Sequence, residues 1–118
     1  MQAETILPRA SVHVASDLEH ISKDSITVVG GPYVSGTVLA EKDDGTYTQL
    51  NIDASAVEAN MASRILYGHK RDKDAGQCLA HARVCSMYSS KLTWPEGITQ
   101  EQLESAEKAL TKNHIVLR

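Results

Sequence analysis

The stretch KLTWPEGITQEQLESAEKALTKNHIVLR, Lys91 to Arg118, decides the fold. It holds a complete set of helix signals. Thr99 is placed as an N-cap with Gln102 three residues on, the spacing of a capping box in which each residue satisfies a backbone N–H of the other. Ile98 before the cap and Leu103 at the fourth helical position have the spacing of a hydrophobic staple. Glu101 and Glu104 fall near the positive end of the helix dipole, Lys108 and Lys112 near the negative end. Leu103, Ala106, Glu107 and Leu110 follow the helical period and make a narrow stripe of mostly small residues. Asn113 is placed to end the helix in the left-handed conformation, and HIVLR then reads as a terminal strand. Trp94-Pro95, just before the helix, could be a binding platform. A lone Trp leading into a capped helix reads better as a structural anchor that fixes the helix on a sheet.

Upstream of this helix the apolar period shortens to two. In SKDSITVV, Ser22 to Val29, Ile26 and Val28 share one face and Ser25 and Thr27 the other, and Gly30-Gly31-Pro32 ends the run. In GTVLAEKDDGTYTQL, Gly36 to Leu50, two β-rich runs flank Asp43-Asp44-Gly45, a strong hairpin signal. A second hairpin runs out through RILYGHKRD, turns at Asp74-Ala75-Gly76 and returns as QCLAHARVCSMY. In that return strand Cys78, Ala80, Ala82 and Val84 form a small apolar face, opposed by Leu79, His81, Arg83 and Cys85. Asn51 to Ser63 reads as loop. Residues 1–20 have weak periodicity, with a brief alternation at Ser11 to Val14, and read as an extended arm. The expectation is therefore an α+β fold: an arm over residues 1–20, then a small mainly-β domain over 21–118. That domain has two hairpins, one helix in its C-terminal half and a short terminal strand.

Composition sets the limits. The 118 residues include no Phe, one Trp and four Tyr. One core of this size can form, but it must be built from aliphatic side chains that each bury less area than an aromatic. Part of the burial is then expected at oligomer contacts. The net charge of −3 gives no bulk attraction for nucleic acid or anionic lipid. There is no apolar run of about 18 residues that could span a membrane, and MQAETILPRASVHV lacks the layout of a secretory signal. These features predict a soluble protein made in a cytoplasm. Cys78 and Cys85 lie at an odd separation within one predicted strand, about 23 Å apart along it, so they are expected not to pair and to stay reduced.

Chemistry is sparse. His13, His20, His69, His81 and His114 show no helical ligand spacing and no Cys–His cluster, so no metal and no cofactor are expected. Cys85 in a strand centre has no helix N-terminus to lower its pKa. HKRDKD, His69 to Asp74, lacks the stacking aromatics of a nucleic-acid patch and reads as a solvated loop. The glycines fit no phosphate-binding motif. The scattered carboxylates Glu41, Asp43, Asp44 and Asp53 read as turn and surface residues.

The order of segments resembles the phage head decoration protein family of the lambda protein D type. The resemblance rests on SKDSIT (Ser22 to Thr27), GTVL (Gly36 to Leu39), ILY (Ile65 to Tyr67) and Arg83-Val84. It continues with Leu92-x-Trp94-Pro95-x-Gly97 leading into a helix, and Ile115-Val116-x-Arg118. It covers about residues 20 to 118. It implies a non-enzymatic virion protein assembled in the host cytoplasm. Such proteins bind the outer surface of the expanded capsid as homotrimers at three-fold and quasi-three-fold positions and brace it against packaged DNA. The partner would be the major capsid protein of the same phage, whose sheet gains a strand from the arm. The arm residues assigned to this contact are Thr5, Ile6, Leu7, Ser11, Val12, His13 and Val14. Removing Met1 to Val14 is expected to abolish or sharply weaken capsid binding and leave the domain folded. Two other readings compete: a phage tail or baseplate accessory or receptor-binding module, and a small hydrolase using Cys85 or Ser89 with a distant His.

Overall fold

The computed structural model describes residues 9–18, 21–53 and 60–118. Their strands are β1 (Val14–Asp17), β2 (Lys23–Val28), β3 (Val38–Glu41), β4 (Tyr47–Gln49), β5 (Ala62–Tyr67), β6 (Gly76–His81), β7 (Cys85–Met87) and β8 (Ile115–Leu117). A short 3-10 turn, Ser89–Lys91, and the helix α1, Gln100–Lys112, lie between the last two. The second hairpin, β5 and β6, pairs antiparallel, as does the first, β3 and β4. The first turns as its sequence dictates: the Asp44 carboxylate accepts from the Thr46 N–H at 3.0 Å and from its hydroxyl at 2.6 Å, and Gly45 takes φ +85°.

The two hairpins and β2 close into a barrel in the order β2-β4-β3-β5-β6. Closure comes from one parallel pair, Val28 with Tyr47. Ile26, Val28, Leu39, Tyr47, Leu66 and Ala80 fill the interior. A second, three-stranded sheet, β1-β7-β8, packs with α1 against the barrel. β3 belongs to both layers. Its Leu39 points into the barrel, whereas Val38 and Ala40 enter the larger outer core with Ile65, Met87 and Leu110. Burial on both faces explains why Val38-Leu39-Ala40 is apolar throughout rather than alternating. In β5, Ala62 and Ile65 both reach the outer core at an odd separation. An irregularity in the β3–β5 pairing there lets them share a face.

The capping box forms as the sequence dictates. Thr99 Oγ1 accepts from Gln102 N–H at 3.2 Å, and Gln102 Oε1 accepts from Thr99 N–H at 2.9 Å. The stripe is narrower than expected: Ala106 and Leu110 are buried, but Glu107 is exposed. The stop also differs. Asn113 has φ −94°, and the left-handed residue is His114 at φ +60°. Asn113 instead directs its side-chain amide at the Ser63 carbonyl, 3.5 Å away.

The largest correction concerns QCLAHARVCSMY. It is not one strand. β6 ends at His81, and β7 begins at Cys85 in the other sheet. Val84 between them takes φ +51°, a conformation that a β-branched residue adopts only when its surroundings enforce it. Ser22 is the enforcing group. Its carbonyl accepts from Ala82 N–H at 2.7 Å, and its hydroxyl donates to the Val84 carbonyl at 2.8 Å. Cys78 and Cys85 therefore stand in different sheets, both as free thiols. His81, expected opposite the small apolar face, is fully buried, and Val84, expected on that face, is exposed.

HKRDKD also differs from a plain solvated loop. Lys70 is buried, and its Nζ donates to the carbonyls of Gly30 and Asp72, each at 2.8 Å. The chain from Arg71 to Ala75 is exposed.

Candidate interaction site

The N-terminal segment from Arg9 onward is built onto the domain. A turn brings Val12 N–H to the Arg9 carbonyl (3.1 Å) and Val14 N–H to the Ser11 carbonyl (3.0 Å). Ser35 Oγ donates to the Ala10 carbonyl, and Tyr88 N–H donates to the His13 carbonyl at 2.8 Å. The alternation at Ser11 to Val14 is thus a turn, and the strand proper starts at Val14. β1 pairs antiparallel with β7, Val14 opposite Met87 and Asp17 opposite Cys85.

His13 is buried to 0 % exposure. Its ring lies against Gly36, where φ is +97° and a Cβ would sit 3.3 Å from the imidazole. Only glycine provides both that conformation and that space. The His13 and His81 ring centroids are 6.1 Å apart, edge to face, and Tyr67 stands 5.4 Å from His81 and 6.5 Å from His13. His81 Nε2 is 2.7 Å from Asp17 Oδ2, which also pairs with Lys23 Nζ at 3.2 Å. Lys23 Nζ lies 4.8 Å from the Tyr67 ring centre. Among the described residues, neither ring nitrogen of His13 has a hydrogen-bond partner, nor has Nδ1 of His81.

Burial, then the nearby His81, lowers the His13 pKa from 6.5 to about 4. Burial also lowers His81, against the opposing pull of Asp17. The hydrogen bond from His81, helped by Lys23, holds Asp17 below the usual carboxylate range.

The residues singled out from sequence are distributed as follows. Thr5, Ile6 and Leu7 lie outside the described residues. Ser11 and Val12 are exposed on the turn, His13 is wholly inside, and Val14 is half-buried against the outer core. Ser11 and Val12 therefore present side chains outward, whereas His13 and Val14 fasten the segment. Trp94 packs half-buried against the outer core with its indole N–H 3.3 Å from the Ser89 carbonyl, and Pro95 is buried. The sequence did not reveal the group of His13, Asp17, Lys23, Tyr67 and His81, because only folding assembles it.

The described surface offers two further features. The strand order leaves the outer edges of β1 and β8 without a strand partner among the described residues, and such edges can accept another chain. Leu18, Ile21 and Val84 are exposed apolar residues grouped around Ser22.

Neither proposed nucleophile is activated. Burial pushes the Cys85 thiol up to about 11, opposite to the shift a thiolate nucleophile needs. Ser89 Oγ donates to the Arg118 carbonyl at 3.1 Å. Among the described residues there is no group of three or more His, Cys, Asp or Glu side chains placed to hold a metal ion.

A search of curated proteins returned no match. A family model described as bacteriophage lambda head decoration protein D matches residues 5–115, and the chain belongs to that family of capsid-associated structural proteins.

Proposed function

We propose that this protein binds the outer surface of the expanded phage capsid as a homotrimer at three-fold and quasi-three-fold positions. There it holds neighbouring major capsid subunits together against the pressure of packaged DNA. The family match over residues 5–115 carries this reading. The N-terminal arm adds a strand to the major capsid protein, main-chain hydrogen bonds supplying affinity and alternate side chains register. The firm attachment of Ala10 and His13 to the domain supports it, because a fixed root lowers the entropy lost when the arm docks. The contact then falls on Thr5, Ile6 and Leu7 with Ser11 and Val12, while His13 and Val14 serve as the root. Three arms on one trimer make the second and third contacts intramolecular. Occupancy of the mature lattice stabilises that lattice by mass action.

The test is co-sedimentation with expanded, undecorated capsids, with unexpanded procapsids as control. The expected result is saturable binding to expanded shells only, near one copy per major capsid subunit. A chain beginning at Arg9 is expected to keep its fold and lose most of that binding. If it binds as well as the full chain, the arm has no part in the contact. Failure of the folded full chain to bind either shell would overturn the head assignment in favour of a tail or cell-surface partner.

A further inference from the structure

Where the small sheet meets the barrel, five strands bring ionisable groups together: Asp17 from β1, Lys23 from β2, Tyr67 from β5, His81 from β6 and Cys85 from β7. His13, immediately before β1, projects into the same place. It is the only fully buried side chain of residues 9–18, so among the side chains that seat the segment it is the most deeply held.

At neutral pH His13 is uncharged. Its ring then offers one donor and one acceptor, and both lack partners among the described residues. A second proton would make a buried cation without an acceptor. Asp17, the carboxylate of this group, is engaged by His81 and Lys23. Tyr67 presents its ring to His13, and the Gly36 loop adds no side chain. His81, protonated in turn, would repel the His13 cation across 6.1 Å. The pocket accepts the neutral imidazole and rejects the charged one.

We propose that His13 and His81 form an acid-operated latch, which holds residues 9–17 on the barrel at neutral pH and releases them, barrel intact, under mild acid. The inference is independent of what the arm binds. Its direction follows from the titration. His13 falls from 6.5 when free to about 4 when seated. The stabilisation of the seated form is therefore complete above 6.5 and is lost as the pH drops from there towards 4. His81 shifts the same way. Asp17 is lowered too, so its hold weakens only below the ordinary carboxylate range. From pH 7 to pH 5 the open-to-seated ratio rises about 20-fold on account of His13 alone. Release precedes unfolding because the segment holds one deeply buried side chain, whereas the barrel strands hold the cores.

The test compares amide exchange protection factors at pH 7 and pH 5 by NMR. Those of Ala15 to Asp17 are expected to fall about 20-fold, while those of Leu39 and Leu66 in the barrel stay unchanged. His13→Leu is expected to remove the share of that pH dependence that His13 supplies and leave only the smaller share of His81. A parallel titration of the His13 ring resonances in the unsubstituted protein does not rely on the variant folding. Strong depression of its pKa supports the latch, and an ordinary imidazole value of about 6.5 overturns it. So does a joint loss of protection in segment and barrel, or an unchanged pH dependence in His13→Leu.

Discussion

Ser22 lies where the chain crosses between the two sheets, and its small side chain serves both sides. The hydroxyl accepts from Leu18 N–H at 2.8 Å and donates to the Val84 carbonyl at 2.8 Å. Ser22→Ala leaves both groups without that partner. It is expected to cost about 1–3 kcal/mol, read as a lower urea midpoint at unchanged slope. Cys85 gives a second prediction at this scale. Buried, with its thiol pushed up to about 11, it is expected to resist a thiol reagent at pH 8 until the protein unfolds. Rapid labelling of Cys85 in the native state would contradict its place in the core. An unactivated Cys85 could be read from the sequence, but the role of Ser22 could not. The hydroxyl of Ser22 meets Val84 across a separation of 62 residues, and Asp17 meets His81 across 64. No local pattern records such partners.

Elements were legible where their signals are local. The helix start needs only Thr99 and Gln102, three residues apart, and it forms as their spacing dictates. Thr99→Ala is expected to destabilise the protein by about 1 kcal/mol, measurable as a lower thermal midpoint with the helix still present by circular dichroism. The break between β6 and β7 was not legible, because Ala82, Arg83 and Val84 carry no turn residue and alternate well enough for a strand. The break is imposed from outside by Ser22. Val84→Gly removes the cost of φ +51° but adds backbone freedom to the unfolded chain. The first term, about 1–2 kcal/mol, exceeds the second, so a net gain of up to about 1 kcal/mol is expected. A lower denaturation midpoint for Val84→Gly would show that the strain at this corner is not real.

At the scale of the molecule, the α+β character and the two hairpins could be read from period and turn residues, but barrel closure could not. It depends on Val28 meeting Tyr47 side by side, a parallel contact between strands that other elements separate in the chain. The anchoring of the N-terminal segment was hidden for a related reason. The alternation at Ser11 to Val14 suggested an extended segment, and only the pocket at Gly36 reveals His13 as its anchor. Truncation therefore divides at Arg9. Removing residues 1–8 leaves His13 and Val14 in place. Removing residues 1–14, as sequence alone would suggest, also deletes His13 and Val14 and should lower the thermal midpoint by several degrees, since about 1 kcal/mol moves a domain of this size by roughly 4–8 °C. Equal midpoints for the two truncations would mean that the root contributes nothing to the fold.

The two ends of the described chain are fastened to neighbouring residues. Tyr88 N–H takes the His13 carbonyl, and Ser89 N–H takes the Arg118 carbonyl at 3.1 Å. This arrangement defines a load path. Tension on the residues before Arg9, directed along the strand axis, enters at Ala10 and His13 and passes directly into β7, the middle strand of its sheet. The β1–β7 bonds then share the force in shear instead of parting one after another. A cargo attached after Arg118 would hang from the same corner, pulling on β7 through Ser89 beside the point where His13 is fastened.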